Sequence, residues 1–406
     1  MIKKVFISSD HKLDYIGEPI KYTNYLLLRI GRKPAISYII ENYPKTTEFT
    51  IGNGEFIDHI KQFLKLAYPE RVFKFVNYGE EKALNKGEVV HKGYNIPPRF
   101  DLSKKDGLIK ARKSIQDKFD ILDKDNESIF FINDSVIKFF YDDNIIKNRV
   151  SRSKILGKIT PNVEKKYKNF YLYPYTQGDL YADVVTPEDF SKFLLWAKKN
   201  LWKETSEVNQ KEFKKVCNNF YYKKTFDRFN KFLTKHNLKD KNHIINGEKV
   251  PSVKEIFEKL DLDWLTDTKQ TKFHGDFILD NIIKTKDGYT LLDWRQDFGG
   301  LIKSGDMYYD LAKLNHNLSV NHDIVYKNKF NVDANGNKVL CDIKRKKVLK
   351  DCQTILFDFI EKQGYDLKKV KVLTGIIWLN MAPLHHEPFD KFLYYWGKLN
   401  LWQAIK

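Results

Sequence analysis

His274-Gly275-Asp276, then Asn281, then Leu292-Asp293-Trp294 constrain this chain more than any other stretch. Two acids and an amide stand out of apolar sequence. Phe277-Ile278-Leu279 lies between the first acid and the amide, and the run Tyr289-Thr290-Leu291-Leu292 leads to the second acid. That run reads as a strand, so Asp293 falls where a strand ends and a site begins. The pattern predicts a polar loop set beside a core. It suits phosphoryl transfer, in which one Asp takes the proton of an attacking hydroxyl while an Asn shortly beyond it and a second Asp hold metal against phosphate. Each motif alone is more often a turn than a site, since Gly supplies unusual backbone angles and Asp caps there; the three together favour the site.

Residues 273–314 resemble the aminoglycoside phosphotransferase and choline kinase family, small-molecule relatives of the protein kinases. The text that carries the likeness is Phe273-His-Gly-Asp-Phe-Ile-Leu-Asp-Asn-Ile-Ile, then Leu-Leu-Asp-Trp-Arg, then Gly305-Asp306-Met-Tyr-Tyr-Asp310-Leu-Ala, in the family's order. The resemblance implies that Asp276 orients the substrate hydroxyl, that Asn281 and Asp293 hold Mg²⁺, and that His274 supports the loop. Asp306 and Asp310 are expected to brace the loop and cap the next helix. A literal Asp297-Phe298-Gly299, the protein-kinase metal motif, follows Asp293 within a Gly-ending turn. Asp293, closing the apolar run, is the expected ligand.

At 406 residues with 42% hydrophobic and 15% aromatic content, the chain is globular and has room for two or three domains. Cys217, Cys341 and Cys352 have neither metal-ligand spacing nor an even number, so a disulfide framework is not expected and a reducing cytoplasm fits. The N-terminal Met1-Ile-Lys-Lys-Val-Phe-Ile-Ser-Ser reads as a strand rather than a signal peptide, and no stretch reaches the ~20 apolar residues of a membrane span. The formal charge of +18 comes from lysines spread along the chain among 53 acids. Clusters such as Lys344-Arg-Lys-Lys347 are short, so nucleic acid is not the expected partner; the charge helps attract ATP and other anionic metabolites.

Residues 1–95 alternate strand and helix patterns. The apolar run Tyr25–Ile30 leads to Pro34, placed at a helix start. Glu48–Ile51 and Arg71–Val76 read as strands flanking a helix through Ile57, Ile60, Phe63, Leu64 and Ala67. Strand–helix–strand–helix–strand implies a small α/β unit with parallel strands. Gly31-Arg-Lys-Pro-Ala-Ile-Ser-Tyr-Ile-Ile and Glu48-Phe-Thr-Ile-Gly resemble part of a sugar-nucleotidyltransferase domain. Ser8-Ser9-Asp10-His11-Lys12 stands where that family has its Gly-rich loop. A truncated Rossmann-like module is therefore expected, serving structure, pairing or regulation. Residues 96–123 form a connector whose helix carries Leu108, Ala111, Ile115, Phe119 and Leu122 on one face.

Residues 124–178 are expected to form a small β-rich lobe. Ile129-Phe-Phe-Ile132, Asn133-Asp134 and Ser135-Val-Ile-Lys-Phe-Phe140 predict a hairpin with a two-residue turn. Lys138 lies inside the apolar run; a buried ammonium needs a partner, and the resemblance supplies ATP phosphate. The alternative is a lysine on the open face of an edge strand. No Gly-rich loop precedes the hairpin, where Asp123–Ser128 stands instead. The helix near Ile145–Leu156 offers Arg149 and Arg152 in place of a Glu. Either Asp142, Asp143 or Glu164 substitutes, or the two arginines contact phosphate.

Tyr171–Asp179 reads as the strand and hinge between lobes, and residues 179–406 as a helical large lobe, with Lys192–Trp202 and Phe213–His236 amphipathic. The C-terminal Trp378, His385, His386, Glu387, Tyr394, Tyr395 and Trp396 are either helix core or an aromatic pocket suited to a quaternary ammonium such as choline. The expectation is an α+β protein-kinase-like two-lobe domain behind an α/β nucleotidyltransferase-type module. It would be an ATP- and Mg²⁺- (or Mn²⁺-) dependent phosphotransferase acting on a sugar or amino alcohol, tied by its N-terminal module to capsule or surface-polysaccharide biosynthesis. The alternative is a nucleotide-binding pseudokinase that pairs with itself or with a biosynthetic enzyme.

Overall fold

A computed structural model describes residues 4–9, 21–77, 89–92, 95–96, 100–115 and 126–406. It separates into two compact units: residues 1–150 with 162–175, and residues 151–161 with 176–406. Both mix helix and sheet.

The first unit begins with parallel pairing. The strand Lys4–Ser8 lies between Glu48–Gly52 and Val89–Lys92, and Glu48–Gly52 pairs in turn with Phe73–Val76, all in parallel. Val5, Phe6 and Ile7 are all buried, as befits a parallel strand covered on both faces. The helix Ile57–Ala67 buries Ile60, Phe63, Leu64 and Ala67 at 3.6-residue spacing. Each large apolar side chain so buried stabilises the fold by roughly 1.5–3 kcal/mol. The run Tyr25–Ile30 is not one strand. Asn24 caps a 3₁₀ turn over Tyr25–Leu27 by accepting from Leu26 N, and only Arg29–Ile30 is extended.

The predicted hairpin is present: Glu127–Ile132 pairs with Ser135–Phe140 across Asn133-Asp134, with Asn133 left-handed at φ 53°. Phe170–Pro174 adds an antiparallel strand on the other side, so Lys138 lies on an interior strand rather than an edge. Alternation along the strand sends Ile137 and Phe139 into the core of the parallel-sheet module, with Phe130, Ile132 and Leu172. Val136 and Phe140 face Ile146 and Val150 of the helix Asp143–Leu156. The connector helix runs Lys105–Ser114 and buries Leu108 and Ala111 in the same core. Phe119, Leu122, Pro97-Pro98 and Asp10-His11-Lys12 lie outside the described residues.

In the second unit the helices Pro187–Asn200, Gln210–Asn218 and Lys224–Lys235 follow the amphipathic pattern. A π-helical turn, Asn219–Lys223, interrupts the expected continuous helix over 213–236. The helix Leu367–Met381 packs on Met307–Ser319 and Phe389–Ile405. Gly375 sits there because a Cβ would lie 2.9 Å from the Leu401 backbone. Trp378, Tyr394 and Tyr395 are core residues. One sheet had no local signal: His243–Ile245 joins Glu248–Val250 and also, in parallel, Lys338–Ile343, which pairs with Phe330–Asn335.

Candidate active site

Two short ladders close the frame of the second unit's site. Gln270–Thr271 pairs with Gly305–Asp306, and between them Ile282–Thr285 and Gly288–Leu291 form a hairpin joined by Asp179–Leu180. The loop 272–281 and the return 292–304 therefore start and finish beside one another. Two backbone bonds draw them together: Leu292 N donates to Asn281 O at 2.7 Å, and Arg295 N to His274 O at 2.9 Å. Asp276, Asn281 and Asp293, 17 positions apart at most in sequence, are thereby set around one short stretch of backbone.

His274 is fully buried and ties the two segments. Its Nε2 lies 2.8 Å from Leu292 O, and Asp276 N donates to its Nδ1 at 3.3 Å. The ring is then neutral, with its proton on Nε2. Burial drives its pKa down to about 4, against the pull of Asp276, so neutrality persists across the working range. Gly275 follows at φ 87°, and a Cβ there would meet Arg295 Cβ at 2.6 Å. Only glycine fits.

Beneath the loop, Asp310 on the helix Met307–Ser319 accepts from His274 N and Gly275 N, each at 2.7 Å, and from Trp202 Nε1 at 3.1 Å. Burial pushes its carboxyl up to about 6 despite these donors. Asp306 caps the same helix by accepting from Tyr308 N, and also takes Tyr221 OH and Thr268 Oγ1. These are the bracing and capping uses expected of both acids.

Asp276 points the other way, its side chain 41% exposed. Lys313 Nζ lies 2.8 Å from its Oδ1, and Asn281 Nδ2 donates to its Oδ2 at 3.1 Å and its backbone O at 2.9 Å. Burial would raise this carboxyl, but Lys313 foremost, with Arg295, outweighs it and holds it well below the usual range. Lys313 is raised in turn, burial being overcome by Asp276. Because the Asn281 amide nitrogen is engaged inside the loop, a cation would take its Oδ1. Asp293 is left-handed at φ 54°, a conformation Asp tolerates better than most residues, and it turns the chain out of the strand as Trp294 enters the core. Asp297, by contrast, accepts from Gly300 N in its own turn while Phe298 is buried on Phe220.

Arg152 is 1% exposed. Its guanidinium donates to Phe273 O and Ile302 O and lies 3.7 Å from the Phe273 ring centroid, which makes it a brace of the loop backbone. Lys138 and Arg149 belong to the first unit. Lys138 is 7% exposed, on the sheet face that carries Phe140, and Arg149 stacks over Phe140 at 4.7 Å.

Sequence reasoning missed Lys313, three residues beyond Asp310 on one helix face and so beside it. In a chain with 71 Lys and Arg, nothing marks it out. Among the described residues no three His, Cys, Asp or Glu cluster as a metal cage. Asn281 with Asp293 still fits a hard cation that keeps water and phosphate in its shell, since Mg²⁺ commonly takes only one or two protein carboxylates. No helix among the described residues is long and apolar enough to cross a membrane.

No protein-family model and no curated protein matches the chain. Solved structures do. The streptomycin–ATP–APH(2")-IIa ternary complex is 14% identical at TM-score 0.40, with 70% of this chain and 90% of that one covered. An ethanolamine kinase from Plasmodium vivax is 13% identical at TM-score 0.37, covering 68% and 82%. A choline kinase from Cryptosporidium parvum Iowa II is 10% identical at TM-score 0.35, covering 70% and 86%.

Proposed function

We propose that the chain is a small-molecule kinase, transferring a phosphoryl group from ATP to the hydroxyl of a sugar or amino alcohol. The observation that carries this is the placing of Asp276, Asn281 and Asp293 around the backbone bonds 274–295 and 281–292, with Asp276 kept ionised by Lys313.

Asp276, so depressed, is a weak base. Its task is to accept a hydrogen bond from the hydroxyl and aim the oxygen, the proton passing to the Asp276 carboxylate only as the new P–O bond forms and the bond to ADP breaks. A loose phosphoryl-transfer transition state asks for little more. His274 and Asp310 fix the loop, Arg152 holds its backbone, and Lys313 sets the charge at Asp276. Asn281 Oδ1 and Asp293 would hold Mg²⁺ or Mn²⁺, which when bound supplies charge neutralisation at the phosphates. Lys138 and Arg149 are the residues proposed for nucleotide phosphate.

The proposed organisation is a nucleotidyltransferase-like Rossmann-type module (1–95), a connector (96–123), a small lobe (124–178) and a large lobe (179–406). Capsule or surface-polysaccharide synthesis in the cytoplasm is the setting this organisation suggests. One feature favours the alternative, a pseudokinase scaffold: the helix Asp143–Leu156 carries no Glu, and its one acid, Asp143, pairs with Lys147 at 3.0 Å.

ADP release from ATP across a panel of sugars, sugar acids, sugar phosphates and amino alcohols distinguishes the two. A kinase responds to one acceptor class, loses the response to a chelator and regains it with Mg²⁺. Nucleotide binding with no acceptor-stimulated release across the panel would favour the scaffold.

A further inference from the structure

We propose that the acceptor is an anion, its carboxylate or phosphate held by Lys224, Arg228 and Arg295 beside Asp276; this rests on the kinase reading above and narrows it.

The cations come from three places in the second unit. Arg295 leaves the loop junction at His274 O and reaches the Phe220 ring, 5.1 Å from guanidinium carbon to centroid. Lys224 Nζ lies 4.3 Å from the same centroid. Arg228 follows Lys224 by four residues on the helix Lys224–Lys235, hence on the same face. Phe220 packs edge-on against Tyr309 at 5.1 Å. Lys313, paired with Asp276, is one helical turn beyond Tyr309. The chain Arg295–Phe220–Tyr309–Lys313 thus runs from the loop junction to the proposed base.

Among the described residues no carboxylate is within ion-pair distance of Lys224, Arg228 or Arg295. Arg228 uses Nη1 on the Asn380 backbone and side-chain oxygens. Arg295 Nε is buried with no hydrogen-bond acceptor. Asp297 faces Lys224, but its Oδ1 accepts from Gly300 N. Half-buried like charges without counter-ions are costly. Here burial, reinforced by repulsion from Arg295 and Arg228, brings Lys224 down to about 6. Two guanidinium forks beside an amine that a bound anion would protonate match a carboxylate or phosphate and repel a quaternary or primary ammonium. The π-helical turn Asn219–Lys223, a feature common at functional sites, carries Phe220 and runs directly into Lys224. Nucleotide phosphate offers the same chemistry as an anionic acceptor, so the test holds ADP constant.

Acetylation of Lys224 by limiting acetic anhydride at pH 7, read by mass spectrometry in the full chain with ADP and Mg²⁺ present, decides between them. Hexose 6-phosphate or hexuronate should slow labelling about tenfold or more, the scale of one lost or gained charge-assisted hydrogen bond. Neutral hexose and choline should not. Arg228→Met should abolish the protection at a temperature where the variant keeps the wild-type circular dichroism, and Arg228→Lys, which keeps a donor for Asn380, should retain part of it. Protection by choline or neutral hexose, or none beyond that given by ADP and Mg²⁺ alone, overturns the proposal. Absence of ADP release with every acceptor would instead sink the kinase reading, and protection would still report the anion site.

Discussion

Asp276 and Asp310 lie on two sides of the same short loop and are put to opposite uses. Asp310 faces inward, takes three N–H donors and is fully buried; Asp276 faces outward, takes Lys313 and Asn281 and keeps 41% of its side chain exposed. Burial wins at Asp310, whose carboxyl rises to about 6, while neighbouring cations win at Asp276, whose carboxyl falls. A carboxylate that holds backbone in place can tolerate a raised pKa because it meets no solvent or substrate. One that is to aim a hydroxyl, the role proposed for Asp276, must remain an anion, and the cation that keeps it so comes from the very helix that carries the brace.

The largest effect that separates the pair is expected at the brace. Asp310→Asn puts an amide N–H₂ against donors that are themselves N–H groups. Destabilisation of about 2–3 kcal/mol should follow, read from the denaturant midpoint. The sign of its pH dependence is also set. Against an ordinary aspartate value of 3.8, a folded value of about 6 means that the native state binds the extra proton between those limits. Wild-type stability relative to the Asn variant should therefore fall as pH rises from about 4 to about 6. Asp276 contributes the opposite slope: its stability is present above the unfolded value and lost as pH falls below it. A rising difference across that window would mean that Asp310 is held as an anion by its donors.

A smaller effect is expected at the cation. Lys313→Met removes the strongest of the charges that oppose burial at Asp276, so its carboxyl should rise. The acid limb of the kcat/KM profile should move to higher pH, with a loss of about tenfold below pH 5 and little change at pH 8. An unmoved acid limb would break the link between Lys313 and the proposed base.

Much of this site was legible in the sequence because it is local. Asp276, Asn281 and Asp293 are joined by one hairpin, and the apolar stretches Phe277–Leu279 and Tyr289–Leu292 set the three polar residues apart in the sequence. The paired glycine and acids of 305–310 lie close enough to belong to the same frame. Lys313 was hidden because its importance is a contact, and a lysine three residues after an acid looks like any solvated helix lysine. Arg152 was expected at phosphate; its place on Phe273 and two carbonyls depends on packing between segments about 120 residues apart. The sheet joining 243–250 to 330–343 escaped for the same reason: each strand is short, and its partner lies far along the chain.

The most direct test of the account is Asp276→Asn, measured for acceptor-stimulated ADP release and, in the same preparation, for nucleotide affinity. The substitution keeps the shape and the Asn281 neighbour but removes the anion that aims the hydroxyl. The account predicts a fall in kcat of roughly 10²–10⁴-fold with nucleotide affinity within a factor of about two to three. Unchanged turnover, or a loss of nucleotide binding equal to the loss of turnover, would contradict it.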